Sequence, residues 1–129
     1  MHGLHLTADL RGCPPHTALT SPGALRALCL SAVKNAGLQT VGELFHTFPP
    51  PGGVTGVVLL AESHLAVHTW PEIDAVTLDV YVCNFGADHR GQARALLDAL
   101  VARFEPAQVL RQALERGLTP PPVPPGGPA

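Results

Sequence analysis

Apolar and polar residues alternate from Leu4 to Leu10, the period of a strand with one face turned inward, and Gly12-Cys13-Pro14-Pro15 ends the run. After a loop, Ser21 followed by Pro22 reads as an N-cap and first helical turn. Leu25, Leu28, Cys29, Ala32 and Val33 then fall on one helical face that stops at Gly37. Residues 41–48 and 54–61 are rich in β-branched and aromatic side chains and are separated by a proline-glycine turn, which predicts a strand pair. Residues 63–70 alternate again, with His64, Ala66, His68 and Trp70 on one face and Leu65, Val67 and Thr69 on the other, and residues 75–83 repeat the pattern. A second helix shows the clearest period, Ala93, Leu96, Leu97, Leu100, Val101 and Phe104, and Pro106 prevents its continuation. Residues 107–114 suit a last strand or a short helix, with the strand favoured.

These elements predict an α+β fold: a two-layer α/β sandwich whose mostly antiparallel sheet carries two helices on one face. The other sheet face still holds apolar residues and needs cover. A homodimer packed sheet on sheet, an αββα arrangement, supplies it.

At 129 residues, 46% of them hydrophobic, the chain suits one ordinary core, here residues 1–118. The tail TPPPVPPGGPA, residues 119–129, has too few apolar side chains to offset ordering and is expected to be disordered. A net charge of −2 with scattered basic residues offers no electrostatic footprint for nucleic acid or for an anionic membrane. No apolar run reaches the ~20 residues of a membrane helix, and the opening MHGLHLTADL lacks the regions of a signal peptide, so a cytoplasmic chain is expected. Cys13, Cys29 and Cys83 are too few and too widely spaced for a disulfide framework, which fits that compartment.

The strongest chemical signal is Glu62-Ser63 within AESHLAVHTWPE. A serine hydroxyl beside a peptide carbonyl can attack it and turn the amide into an ester. His68, five residues on, is an imidazole able to move protons near neutral pH. Removal of the serine α-proton and elimination leave a dehydroalanine that hydrolyses to a pyruvoyl group at a new amino terminus. The products are residues 1–62 and residues 63–129. Such a carbonyl can condense with a substrate amine and accept electrons during decarboxylation.

Residues 54–83, VTGVVLLAESHLAVHTWPEIDAVTLDVYVC, resemble the core of the prokaryotic S-adenosylmethionine decarboxylase proenzymes. GLHLTADLRGC and LFHTF resemble the family's first two strands, so the likeness spans residues 3–117. The resemblance implies that Ser63 is the precursor of the covalent pyruvoyl cofactor, His68 the processing base, and Cys83 the residue that protonates the product carbon. It sets Thr55 where the family has a processing serine, Phe48 near its adenine-stacking ring, and Glu72 at the carboxylate that holds the ribose. It further implies paired protomers with active sites near their interface, S-adenosylmethionine as substrate, and a product that donates aminopropyl groups for spermidine. Two departures stand out: FPPPGGVT is one residue longer than usual, and Asn84 replaces a glycine after Cys83.

Taken singly, these residues have plainer readings. Ser63 suits a turn, Cys83 a small buried hydrophobe and Glu72 a solvated turn; Phe48 reads equally as core or as a stacking ring. A pyruvoyl-dependent arginine or ornithine decarboxylase, or an unprocessed regulatory relative, would use the same scaffold. No metal is expected: Cys13-Pro-Pro-His16 has ligand-like spacing, but His64 and His68 would lie about 13 Å apart along one strand. Pyridoxal phosphate is disfavoured because the only lysine, Lys34, stands near the end of the first helix with no glycine-rich phosphate cradle.

Overall fold

A computed structural model describes residues 1–61, 63–84 and 86–118. Glu62 and the 119–129 tail lie outside them. Six strands, β1 (His2–Arg11), β2 (Thr40–Thr47), β3 (Val54–Leu60), β4 (Ser63–Trp70), β5 (Ala75–Cys83) and β6 (Gln108–Gly117), form one sheet with order β2-β3-β4-β5-β1-β6. Every neighbouring pair is antiparallel. Two helices, α1 (Pro22–Asn35) and α2 (Arg90–Phe104), pack on one side of it.

The helix stripes read from the sequence are the residues the fold buries: Leu25, Leu28, Cys29, Ala32 and Val33 on α1, and Ala93, Leu96, Leu97, Leu100, Val101 and Phe104 on α2. Ser21 caps α1, its hydroxyl accepting the Ala24 N–H at 3.1 Å. Beyond α2, Glu105 turns into the left-handed region (φ 47°), and Pro106 follows. Against the stripes the sheet sets Leu4, Leu6, Ala8 and Leu10 of β1, Leu65 and Val67 of β4, and Leu78, Val80 and Val82 of β5, all buried.

β4 and β5 match the expected strands to the residue, because alternation with one buried face fixes register as well as type. The last segment is a strand, longer than expected, and every residue in it is exposed. Full pairing with β1 from His2↔Gly117 to Arg11↔Gln108 explains why it is extended. Two surface ion pairs, Arg111–Asp98 at 2.6 Å and Arg90–Glu115 at 3.4 Å, tie it to α2 and add little.

Among the described residues no helix covers the second sheet face. His5, Thr7, Thr55, His64, Ala66, His68, Thr77, Asp79, Tyr81 and Cys83 occupy it, each half-buried. Exposed Leu44 and Leu59 extend the same face at one edge and Leu114 at the other. It is a mixed face, aromatic and polar near its centre and apolar toward its edges.

One buried polar side chain locks the inner layer beside this face. Thr69, 4% exposed, donates to the Leu19 carbonyl at 2.7 Å and accepts the Val54 N–H at 2.8 Å. It thereby joins β3, β4 and a short 3-10 helix, Thr17–Leu19, that the sequence reading took as plain loop. Thr69→Val keeps the shape but strands a carbonyl and an N–H, so it should lower stability by about 1–3 kcal/mol in chemical denaturation.

A candidate active site in two halves

The turn from β2 to β3 builds the first half. Phe48 leaves β2 and donates its N–H to the Gly53 carbonyl at 2.9 Å, while the Gly52 N–H closes a turn onto Pro49 at 3.0 Å. Gly52 needs the left-handed region (φ 83°). At Gly53 a Cβ would stand 2.7 Å from the Thr69 carbonyl oxygen, so only glycine lets the turn lie against the end of β4. The result is a cavity of about 200 Å³ walled by Phe48, Pro49, Pro51, Thr55, His68 and Trp70, with Glu72 at its rim.

Within it, register places Thr55 directly opposite His68, and the Thr55 hydroxyl lies 3.1 Å from His68 Nδ1. The hydroxyl can donate or accept, so it fixes the ring in either tautomer. On the other side the Trp70 ring stacks on His68, centroids 6.4 Å apart at 28°. Phe48 is 50% exposed and Trp70 44%, so Phe48 is not core packing. Two large rings held open beside a cavity are surfaces waiting for a flat or apolar ligand. Glu72 is exposed in the short 3-10 helix Pro71–Ile73, which Asp74 ends at φ 52°.

The second half lies at the other end of β4. Ser63 opens that strand, and its Oγ accepts the Cys83 backbone N–H at 3.4 Å, a long contact. Cys83 ends β5 and donates its thiol to the Tyr81 hydroxyl at 3.3 Å. Asn84 sits comfortably without glycine's freedom. Among the described residues only Asp74 and Glu105 are non-glycines with positive φ, and Asn84 donates its N–H to His2 at 2.7 Å while its side chain accepts the His89 N–H at 2.9 Å.

The sequence-predicted residues therefore gather in two sets. Phe48, Thr55, His68 and Glu72 meet at one cavity; Ser63 and Cys83 meet elsewhere. Five residues of strand at ~3.3 Å each separate Ser63 from His68 by roughly 16 Å, so within one chain the imidazole does not reach the serine. Glu62 is not among the described residues. Sequence reasoning passed over Trp70 and Tyr81, although both share the open face with residues it singled out, Trp70 two beyond His68 and Tyr81 two before Cys83.

Cys13 and His16 have structural work. Cys13 is buried, with its N–H on the Asp74 carbonyl at 2.9 Å, and His16 Nδ1 accepts the Ala18 N–H at 3.0 Å, capping the Thr17–Leu19 helix. Among the described residues no three metal-ligating side chains cluster, and no helix is long and apolar enough to cross a membrane.

A model of the S-adenosylmethionine decarboxylase family matches residues 4–117. The chain belongs to that family. The S-adenosylmethionine decarboxylase proenzyme of Aquifex aeolicus is 38% identical over 116 residues, covering 90% of this chain and 82% of its own length. The proenzyme of Pyrococcus furiosus is 34% identical over 113 residues, covering 88% and 80%. A crystal structure of the Aquifex aeolicus adenosylmethionine decarboxylase superposes with a TM-score of 0.80 at 37% identity, covering 92% of each chain. Family membership implies a covalent pyruvoyl group. The residue that would carry it fits: Ser63 begins a strand directly after the connection from β3, and its side-chain oxygen already meets a backbone N–H beside a thiol.

The Thr55–His68 contact generates a prediction for processing in this family. Thr55→Val should slow the appearance of two chains about tenfold, the worth of one hydrogen bond that orients a proton-transfer group, whereas Thr55→Ser keeps the hydroxyl and stays within about twofold of wild type. Timed denaturing gels read both.

Proposed function

We propose that the chain cuts itself between Glu62 and Ser63 and then decarboxylates S-adenosylmethionine, producing the aminopropyl donor for spermidine synthesis. The observation that carries the choice of substrate is the cavity itself: aromatic and proline walls with a single carboxylate at the rim. A nucleoside suits it, its flat base against Phe48 and its ribose hydroxyls donating to Glu72. Arginine or ornithine would require a carboxylate set deep enough to neutralise a buried cation, and Glu72 is exposed.

In processing, the Ser63 oxygen bonds to the Glu62 carbonyl carbon as the C–N bond breaks, giving an ester. Loss of the Ser63 α-proton then expels the carboxylate of residue 62, and water hydrolyses the resulting dehydroalanine, releasing its nitrogen as ammonia and leaving the pyruvoyl group. His68, oriented by Thr55, is the group suited to move these protons. The pyruvoyl carbonyl supplies an electron sink for the pair released with carbon dioxide. Cys83 then gives its thiol proton to the carbon that lost the carboxylate, and its position beside residue 63 supports that role.

Both reactions need the two halves within hydrogen-bond reach, and roughly 16 Å of paired strand keeps them apart in one chain. A second copy packed face to face, with its β4 running the opposite way, brings the His68 end of one protomer over the Ser63 end of the other. The open face with its exposed Leu44, Leu59, Trp70 and Leu114 supports that pairing as an αββα dimer. Three free cysteines support a reducing, cytoplasmic setting.

The test is carbon dioxide release by purified protein offered S-adenosylmethionine, arginine and ornithine separately, with chain masses recorded on the same sample. Two chains and release from S-adenosylmethionine alone are expected. Release only from a basic amino acid would overturn the substrate, and an uncut, silent chain would point to a regulatory relative. Ser63→Ala should remain a single chain and release nothing.

A further inference from the structure

Tyr81 belongs to no set that the sequence singled out, yet it is the side chain Cys83 touches. Its hydroxyl accepts the Cys83 thiol at 3.3 Å. The ring is held from several sides: His64 lies tilted against it at 5.6 Å, His5 meets it edge-on at 6.2 Å with its Nε2 on Asp79 at 3.1 Å, and the Arg116 guanidinium stands 5.8 Å from its centroid. Beneath it is Gly3, the β1 residue paired with Cys83, where a Cβ would come within 2.8 Å of the tyrosine oxygen. The missing side chain at Gly3 is the space the phenol occupies.

We propose that Tyr81 is the positioning residue for Cys83, fixing where the thiol points and receiving the charge it leaves behind. The proposal rests on the decarboxylase reading and deepens it. When the Cys83 S–H bond breaks and the proton joins the carbon that lost its carboxylate, a thiolate remains. The Tyr81 O–H then reverses its role and donates to that sulfur until solvent restores the proton. Donated to the Cys83 sulfur, that hydrogen bond, with burial and the thiolate charge behind it and Arg116 opposing, raises the phenol above its ordinary pKa, so it stays protonated and available as a donor.

Aim matters because the released electron pair is shared between two carbons. If the proton goes instead to the carbon of residue 63, hydrolysis leaves the substrate nitrogen there as alanine, releases the remainder as an aldehyde, and ends that active site. A thiol fixed at one carbon suppresses this loss; a free one does not.

Two variants test it. Tyr81→Phe keeps the ring over Gly3 and removes the hydroxyl, and Gly3→Ala keeps the hydroxyl but forces it off Cys83. In each, the yield of chains bearing alanine at position 63 per carbon dioxide released should rise about tenfold, the scale of one hydrogen bond to a charged sulfur. In an uncut Ser63→Ala background, iodoacetamide labelling of Cys83 should slow by a similar factor. Cys13 and Cys29 do not compete, since burial raises both thiols, Cys29 to about 12. An unchanged alanine yield in a variant with wild-type unfolding overturns the proposal, and so does unchanged labelling in both. If the wild-type chain neither cuts nor decarboxylates, the proposed function fails, while the labelling comparison still decides whether Tyr81 governs Cys83.

Discussion

Strand β4 is the constraint on which the rest depends. Paired on both edges, to β3 and to β5, it cannot bend to bring its ends together, so Ser63 and His68 stay five residues of strand apart, roughly 16 Å at ~3.3 Å per residue. The same pairing aligns each end with its own helpers, Thr55 opposite His68 and Cys83 beside Ser63. One rigid element thus fixes the contents of both half-sites and forbids their meeting within a chain. A loop in its place would have allowed them to meet at a cost in accuracy.

The two sheet faces divide the labour. One is dry and filled by leucine, valine and the helix stripes, and it makes the sheet a firm platform. The other combines apolar margins with histidines, a tyrosine, a cysteine and an aspartate, a composition that neither solvent nor a second core layer accounts for. In the proposed dimer an identical face would cover the apolar margins and enclose the polar centre, where reduced access of water would strengthen each electrostatic contact. On that proposal dimerisation and catalysis would be one event, because the surface that needs burial is also the one proposed to carry the chemistry.

The sequence disclosed most of the fold because its elements each bury one face. Period two marked β4 and β5 to the residue, and the three-four spacing marked the stripes of α1 and α2. β6 was harder: all ten residues are exposed, so its extended form comes from pairing with a strand one hundred residues away and leaves no local period. Thr69 was read onto the same strand face as Leu65 and Val67, which the fold buries, but its partners Leu19 and Val54 are set by tertiary packing. The family resemblance singled out Phe48, Thr55, His68 and Glu72, but their common cavity is built by the β2–β3 turn lying against the end of β4, which spacing could not derive. The motif alone did not show that Ser63 and His68 stand roughly 16 Å apart, since a motif records order along the chain and not distance in space; that separation follows from the strand predicted over residues 63–70.

The most direct measurement of this division is subunit complementation. Ser63→Ala chains keep the His68 half and His68→Ala chains keep the Ser63 half, so each is predicted to be inactive alone. Co-expressed and randomly paired, half the dimers are mixed and carry one complete site each, giving about a quarter of wild-type decarboxylation, with cutting confined to His68→Ala chains. No activity from mixed dimers isolated by two different tags would contradict the account, because it would mean that Ser63 and His68 must come from the same chain.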